Sequence, residues 1–282
     1  NDTRDLSTIS GVYGAYPIPH LFGIPLRYYP DRWPELDPEV KLSPEEIAKL
    51  DAQTVLNSPM MDELFEQMEL IEKEWGAIHG YLNWQGVINN AFNIRGHEIF
   101  MDLMDRPDFV HAFFDLITEV MIGFATKVQE RQRSSGFPIN QLSVSNCVVN
   151  MISPEDYRTF VMPRDARFAE HFERYGVHTC NWDVTPYIDA LAQLPPLGYL
   201  DMGMESDMAR VRETFPDTRR AVMYSPWRLH QASIEEIRQD LEKIHGELAP
   251  CDIVLADVQS DTPEERIAEV SAICDELAER DV

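Results

Sequence analysis

The chain has 282 residues, a length that fits one large α/β domain or two small domains, and its 44% hydrophobic and 26% charged residues are ordinary for a globular protein. Its 49 acidic residues outnumber the 24 basic ones, and the net charge of -25 repels phosphate backbones and anionic membranes, which excludes nucleic-acid or membrane binding as the main role. No uninterrupted apolar run reaches the roughly 18 residues that span a bilayer. The first ten residues lack the apolar core of a signal peptide, and four scattered cysteines make no disulfide framework, so a cytoplasmic protein is expected.

Proline recurs every few residues over positions 16–34. It interrupts helices and sheet ladders alike, so residues 1–42 are predicted to be an irregular N-terminal segment. Farther along, capping signals and helical spacing of apolar residues predict a helix opening at Ser43 and further helices over 60–75, 98–104, 107–133, 153–175, 185–194, 207–214, 233–248 and 263–279. Short apolar runs between them predict six strands, at 77–82, 141–145, 177–180, 197–201, 221–224 and 251–256.

The alternation of these strands and helices predicts an α/β fold with parallel strands and right-handed crossovers. A (β/α)8 TIM-type barrel and an open doubly wound sheet both fit this pattern. No Gly-x-Gly-x-x-Gly motif or P-loop follows any strand, which removes the nucleotide-binding reason for the open sheet. We therefore expect a single barrel domain over residues 1–282. Its two remaining strands are either absent or part of the irregular N-terminal segment.

Polar and aromatic residues follow the carboxyl ends of the predicted strands, where barrels of this type carry their chemistry. Loops are polar in any protein, and this alone accounts for part of the pattern. The candidates for substrate handling at these ends are Asn83, Trp84, Asn146, Asp183, Glu205, Tyr224, Trp227 and Arg228.

His178-Thr-Cys180 is the most specific local feature. Residues two apart on a strand point to the same side, so this pair could share one zinc ion, which favours imidazole nitrogen and thiolate sulfur. The alternative is a core cysteine beside a hydrogen-bonded histidine. Cys147 and Asp257 follow strands at the same predicted end, whereas Cys251 begins its strand and is predicted to lie at the opposite end.

Several stretches together resemble the uroporphyrinogen decarboxylase superfamily and, within it, the cobalamin-dependent methyltransferases. They are Asn90-Ala-Phe-Asn-Ile-Arg-Gly-His-Glu-Ile-Phe-Met-Asp102, Arg106-Pro-Asp-Phe-Val110, Ile152-Ser-Pro-Glu-Asp-Tyr-Arg-Thr-Phe-Val-Met-Pro163, Val177-His-Thr-Cys180, Tyr187-Ile-Asp-Ala190 and Asp261-Thr-Pro-Glu-Glu-Arg266, and the resemblance runs from about Gly14 to the end of the chain. The resemblance implies a (β/α)8 barrel. The methyltransferase branch carries a His-x-Cys and a later Cys as zinc ligands; His178 and Cys180 match the first part, and Asp257 stands near the position of the missing later Cys.

This resemblance implies transfer of a methyl group between a small substrate, either a methyl donor or a thiol acceptor, and a corrinoid (cobalamin) that is free or carried by a corrinoid protein. Zinc would be held by His178, Cys180 and Asp257, or by Glu205 in place of Asp257. Asn146, Asp183 and Glu205 are assigned to catalysis, and a second set of residues to binding of substrate or cofactor. That second set is Asn83, Trp84, Tyr224, Trp227 and Arg228.

Two other functions stay open at this point. One is decarboxylation of a tetrapyrrole by a metal-free site, which would need cationic residues such as Arg95 and Arg228 to bind several carboxylates. The decarboxylases also carry an aspartate and arginines in an N-terminal segment that this chain does not match. The other is a non-catalytic barrel that binds a corrinoid or a protein partner. A homodimer is compatible with all three functions.

Overall fold

The computed structural model of the chain describes residues 8–9 and 12–280, so part of the predicted irregular segment 1–42 lies outside the described residues. The chain divides into two compact units, Asn1–Tyr175 and Gly176–Val282. The prediction of a single domain over residues 1–282 stays a prediction.

The first unit is mostly helical. Its helices are α1 (Pro17–Leu21), α2 (Pro44–Ile47), α3 (Ala52–Leu56), α4 (Pro59–Trp75), α5 (Val87–Arg95), α6 (Glu98–Asp105), α7 (Pro107–Ser134), α8 (Pro154–Asp156) and α9 (Met162–His171). Its strands are β1 (Leu26–Arg27), β2 (Glu35–Leu36) and β3 (Gln141–Ser145). A 3-10 helix follows β3 at Cys147–Met151, and a π-helical turn lies at Tyr157–Val161. The N-terminal segment is therefore less irregular than its prolines suggest, because α1 begins with Pro17, where the missing N–H of proline costs no helical bond.

Helix α7 forms the centre of this unit, as its apolar periodicity predicts. Its inward face buries aromatic and aliphatic side chains that include Phe113, Phe114 and Phe124. This is also the one helix of the described chain that is long and apolar enough to cross a membrane, with a mean hydropathy of 1.4 over an 18-residue window. Half of that window is buried inside the structure, and a core helix passes the same test.

The predicted strand at 77–82 is wrong. The structure has no strand there, and the nearby Gln85 makes only an isolated parallel bridge to Ser145. Two nearby glycines, Gly76 and Gly80, have positive φ, which an extended strand does not allow. The backbone carbonyls of Ile78 and Gly80 accept hydrogen bonds from the Gln132 side chain. These two carbonyls of the segment 77–82 are thus hydrogen-bonded to a side chain of helix α7 and not to a neighbouring strand.

The second unit is an alternating α/β structure. Its strands are the end of β4 (Arg174–His178), β5 (Tyr199–Met202), β6 (Arg219–Met223) and β7 (Asp252–Val254), and its helices are α10 (Ile188–Leu191), α11 (Met208–Thr214), α12 (Pro226–Gln231), α13 (Ile234–Leu248) and α14 (Glu264–Glu279). The pairs β4–β5, β5–β6 and β6–β7 are all parallel. The strand order of the sheet is β3-β4-β5-β6-β7, which confirms an α/β fold with sequential crossovers. Closure into a (β/α)8 barrel stays a prediction.

Candidate metal centre

Register alone brings His178 beside Asp201. Val177 of β4 pairs with Leu200 of β5, so the next residues along the two parallel strands, His178 and Asp201, are neighbours. Paired residues of adjacent strands point to the same face. His178 Nδ1 lies 2.6 Å from Asp201 Oδ2. Since an ionised carboxylate only accepts hydrogen bonds, Nδ1 carries the proton, and Nε2 is the ring nitrogen that keeps its lone pair.

Asp201 is almost completely buried, at 1% exposure, and three groups donate to its carboxylate. Besides His178, the Tyr199 hydroxyl donates to Oδ2 at 2.9 Å and the Thr179 backbone N–H donates to Oδ1 at 2.7 Å. The Thr179 hydroxyl also donates to the backbone carbonyl of Asp201. Burial and the nearby Asp201 charge raise the pKa of Tyr199 above its ordinary value, so the tyrosine stays a hydrogen-bond donor. Asp201 is the last residue of the predicted strand 197–201, and no role was predicted for it; its signal was an acid between the apolar residues Leu200 and Met202.

Cys180 lies beyond the strand that was predicted to contain it. Strand β4 ends at His178, because the next N–H, that of Thr179, bonds the Asp201 side chain instead of a neighbouring strand. His178 and Cys180 therefore do not lie two apart on one strand, and the prediction that they do is wrong. Cys180 instead has a φ of +59°, a left-handed backbone that is strained for a residue with a Cβ. The turn still places Cys180 Sγ 3.1 Å from His178 Nε2.

The donor set of this pair fits a zinc ion. Zinc takes imidazole nitrogen at about 2.0 Å and thiolate sulfur at about 2.3 Å, which separates the two ligand atoms by about 3.5 Å in a tetrahedral site. The observed 3.1 Å between Nε2 and Sγ is within a small side-chain adjustment of that value. A carboxylate on the far ring nitrogen is the arrangement that orients metal-bound histidines. Without a metal, the same three residues form a Cys-His-Asp series, an arrangement also found in thiol nucleophiles.

The structure does not bring the other predicted acidic residues to this pair. Asp183, Glu205 and Asp257 are all exposed, and the Asp183 carboxylate accepts the Thr185 N–H. Asp257 follows β7 and is the only other non-glycine residue with positive φ among the residues described, at +51°. Its carboxylate is not within 4.8 Å of both the His178 and the Cys180 donor atoms. Its role as a ligand stays a prediction.

Tyr224 and Arg228 share a carboxylate at the end of β6. The Tyr224 hydroxyl and Arg228 Nε donate to the same oxygen of Asp240, at 2.7 Å and 2.6 Å. Burial and Asp240 raise the pKa of Tyr224. Trp227, between them in sequence, is 63% exposed. The arginine charge is thus already balanced, and the indole ring is the group free to cover a ligand.

In the first unit, Asn146 belongs to a buried polar cluster. Its side-chain N–H donates to Asp165, whose carboxylate also accepts from the hydroxyls of Tyr157 and Tyr175 at 2.8 Å. Burial raises the pKa of Asp165 to about 6. Asp165 was not predicted from the sequence, because an acid in an amphipathic helix is indistinguishable from a surface residue until its burial is known.

The remaining predicted residues of the first unit divide into core and surface. Trp84 is 2% exposed and packs edge-on against Phe124 with ring centroids 5.2 Å apart. Asn83 is exposed and accepts a hydrogen bond from the Gln85 side chain. Cys147 begins the 3-10 helix after β3 and is half-buried. The binding roles of Asn83 and Trp84 stay predictions, and the packing of Trp84 is that of a core residue.

Cys251 directly precedes β7, so within the parallel strands of the second unit it lies at the end opposite to His178, as predicted. It lines a cavity of about 540 Å³ between α13, β7 and α14, together with Cys274. Burial raises the pKa of Cys251 to about 11, which keeps this thiol protonated. This cavity therefore lies at the amino ends of the strands, away from the metal-donor pair.

The parallel α/β sheet of the second unit carries the His178–Cys180 donor pair at and directly after the end of β4. The model of the uroporphyrinogen decarboxylase (URO-D) family matches residues 10–276, and the chain belongs to this family, as its motifs predict. Among solved structures, a methyltransferase from Methanosarcina mazei is similar with a TM-score of 0.68 and 17% identity, over 98% of this chain and 83% of that one.

A second similar structure is a B12-independent methionine synthase from Shewanella sp. W3-18-1 in complex with selenomethionine. Its TM-score is 0.45 with 10% identity, over 92% of this chain and 75% of that chain. No curated protein matches the chain. At 17% identity, the similarity to the Methanosarcina mazei structure shows the fold alone.

Proposed function

We propose that this protein is a methyltransferase that moves a methyl group between a small substrate and a corrinoid, with a zinc ion at His178 and Cys180. The observation that carries the proposal is the pair of donor atoms, Nε2 and Sγ, 3.1 Å apart, with the histidine fixed from behind by a buried carboxylate. The structural similarity to a protein described as a methyltransferase supports the same reaction class.

The residues have distinct parts in this proposal. His178 and Cys180 hold the metal, and a third ligand comes from Asp257, or from Glu205 in its place, as the family resemblance implies. Both carboxylates are exposed, and carboxylate oxygen is an accepted zinc ligand beside imidazole and thiolate. Trp227 shields the substrate from water, and Asp183 and Glu205 orient it, as the sequence predicts. The catalytic role of Asn146, which is buried in the first unit against Asp165, stays a prediction.

A bound zinc ion supplies Lewis acidity, which activates a thiol acceptor or polarises the heteroatom of a methyl donor. The residues of the protein bind the metal ion and orient the substrate. Imidazole is neutral and the thiol is deprotonated when they serve as ligands, so metal affinity falls as the pH is lowered towards about 6. The corrinoid, free or carried by a partner protein, is the other methyl carrier, and the protein holds the two reactants together.

Decarboxylation of a tetrapyrrole is the weaker candidate, although the family takes its name from it. Such a substrate needs unpaired cationic side chains for its carboxylates. Arg228 is bound to Asp240 and Arg95 to Asp102, and the net charge of -25 opposes a polyanionic substrate. The arginines that sequence analysis named for this function are thus occupied by the protein's own acids.

The test is zinc reconstitution. Purified apoprotein is titrated with Zn²⁺ by calorimetry, and methyl transfer to or from free cobalamin is followed by its absorbance change. His178→Ala and Cys180→Ser are expected to weaken zinc binding at least 100-fold and to abolish transfer. Asp257→Asn and Glu205→Gln identify the third ligand, since only the true ligand should produce a comparable loss.

Cys251→Ala is the matched control, because it removes a thiol of the same unit at the opposite end of the strands. It is expected to bind zinc as the wild type does. No zinc binding at micromolar concentration in the wild type, or binding that survives the His178 and Cys180 double substitution, would remove the metal from the proposed function and move the decarboxylase ahead.

A further inference from the structure

We infer that Asp201 is the positioning residue of the metal centre, because it holds the His178 ring in one tautomer and one direction. This inference rests on the proposed function, since it takes the His178–Cys180 pair to be the metal-binding pair. Asp201 is not itself a metal ligand in this inference. Substituting Asp201 should nevertheless lower the affinity for zinc, although all the ligands remain.

The contact between His178 and Asp201 differs from two other histidine–carboxylate approaches in the described part of the chain. His97 and His230 lie 3.8 Å and 3.9 Å from Glu98 and Asp261, whose side chains are 55% and 76% exposed. The Asp201 side chain is 1% exposed and only 2.6 Å from His178. Burying a carboxylate costs free energy unless it accepts hydrogen bonds. The Asp201 carboxylate accepts hydrogen bonds from groups that also fix its orientation.

Three donors leave the Asp201 carboxylate no freedom to rotate. Oδ1 is fixed by the Thr179 N–H, and Oδ2 is shared by the Tyr199 hydroxyl and His178 Nδ1. The carboxylate therefore accepts the Nδ1 proton and directs Nε2 towards Cys180 Sγ. A negative group on the far nitrogen also increases the ligand strength of the imidazole, and loss of such partners typically weakens metal binding about 10–100-fold.

Asp201→Asn is the informative substitution, because it retains the shape of the side chain. An amide has one acceptor oxygen and one donor nitrogen, so it cannot accept from all three groups at once. We expect zinc affinity, measured by calorimetric titration with a competing chelator, to fall about 10–100-fold. Tyr199→Phe removes one of the three donors and leaves the carboxylate, so a smaller loss of about 2–5-fold is expected.

Asp240→Asn is the matched control, since Asp240 also accepts from a tyrosine hydroxyl in the same unit and has no contact described with His178 or Cys180. Its zinc affinity should stay within about twofold of the wild type. A second measurement is the ¹⁵N shifts of the His178 ring in the zinc-loaded protein, which should report an Nδ1–H tautomer in the wild type and a changed Nδ1 environment in Asp201→Asn.

The outcomes separate this inference from the proposed function. Wild-type zinc affinity in a folded Asp201→Asn protein, together with loss in His178→Ala, would overturn the positioning role and leave the metal centre standing. If circular dichroism shows that Asp201→Asn does not fold, Tyr199→Phe becomes the test. An unchanged zinc affinity in Tyr199→Phe would then overturn the inference. Absence of zinc binding in the wild type is a failure of the proposed function, and the inference fails with it.

Discussion

At the scale of single residues, two buried acids have different environments. Asp201 is hydrogen-bonded to an imidazole, whereas Asp165 is surrounded by neutral donors, the hydroxyls of Tyr157 and Tyr175 and the amide of Asn146. Hydrogen bonds from neutral groups lower the pKa of Asp165, but its desolvation outweighs them and raises that pKa to about 6. Folding therefore favours the protonated form of Asp165.

Asp165 should make the free energy of unfolding fall as pH rises. An unfolded aspartate has a pKa near 3.9, and the folded value is about 6, so between these values the native state binds more protons than the unfolded state. The loss across this window is about 3 kcal/mol. Urea unfolding at pH 4.5 and pH 7 should show this decline in the wild type and a flatter dependence in Asp165→Asn. Parallel curves for the two proteins would contradict it, and the exposed Asp217→Asn variant is the control.

The thiol of Cys251 should be slow to react. Its pKa of about 11 leaves about one thiolate in a thousand at pH 8, against about a quarter for an ordinary cysteine. We expect alkylation by iodoacetamide to be at least tenfold slower in the native protein than in urea-unfolded protein, as measured by peptide mass spectrometry. Equal native and unfolded rates would show that the thiol is not desolvated. Cys251→Ala should cost only about 1 kcal/mol of stability.

At the scale of elements, loops that follow adjacent strands pack backbone against backbone near Cys180. Gly203, directly after β5, donates its N–H to the Trp182 carbonyl at 3.0 Å. A Cβ built on Gly203 would lie 2.1 Å from the backbone oxygen of Asn181. This approach requires glycine, and it constrains the turn that carries the thiol.

Substituting alanine for two glycines of the second unit should therefore change the free energy of unfolding in opposite directions. Gly203→Ala is expected to destabilise the protein by at least about 2 kcal/mol, because backbone atoms must move, and to weaken zinc binding. Gly246→Ala, inside helix α13 with open space around its Cα, should stabilise by about 0.5–1 kcal/mol through its helix propensity. Urea unfolding measures both. A neutral Gly203→Ala would mean that the two loops can separate freely.

At the scale of the whole molecule, the surplus of acidic residues sets the long-range interactions. A net charge of -25 disfavours the compact state through self-repulsion and collects cations weakly at exposed carboxylates. Zinc titrations therefore need a background of salt or Mg²⁺, so that weak surface binding is not counted as binding at His178 and Cys180.

Added salt should stabilise the fold. Raising NaCl from about 0.02 M to about 0.3 M shortens the Debye length from about 20 Å to about 6 Å, which screens the repulsion between carboxylates. We expect the urea midpoint to rise, and to rise equally with choline chloride, which separates screening from specific cation binding. A midpoint independent of salt would show that the charges of the folded and unfolded chains are equally screened.

Long helices and the family were predictable from sequence, whereas the geometry of the site was not. Helix α7 is predicted by the apolar spacing along its whole length, so an error of one residue at either boundary does not change the prediction. The metal-donor pair depends on three atoms and on where one strand stops. His-x-Cys located it correctly, but the strand ends at His178 because a buried side chain of another strand competes for the Thr179 N–H. Such long-range competition has no local signal, and the predicted strand at 77–82 failed for the same reason.

Because the backbone of Cys180 is left-handed, the residue that would be most stable at this position is not the one that the proposed function requires. A left-handed conformation costs a residue with a Cβ about 1–2 kcal/mol, and glycine adopts it freely. Cys180→Gly would therefore relieve strain while it removes the sulfur ligand of the proposed function. Laboratory selection for thermal tolerance alone would favour loss of the thiol, so any programme to make this protein more robust must screen for metal binding alongside melting temperature.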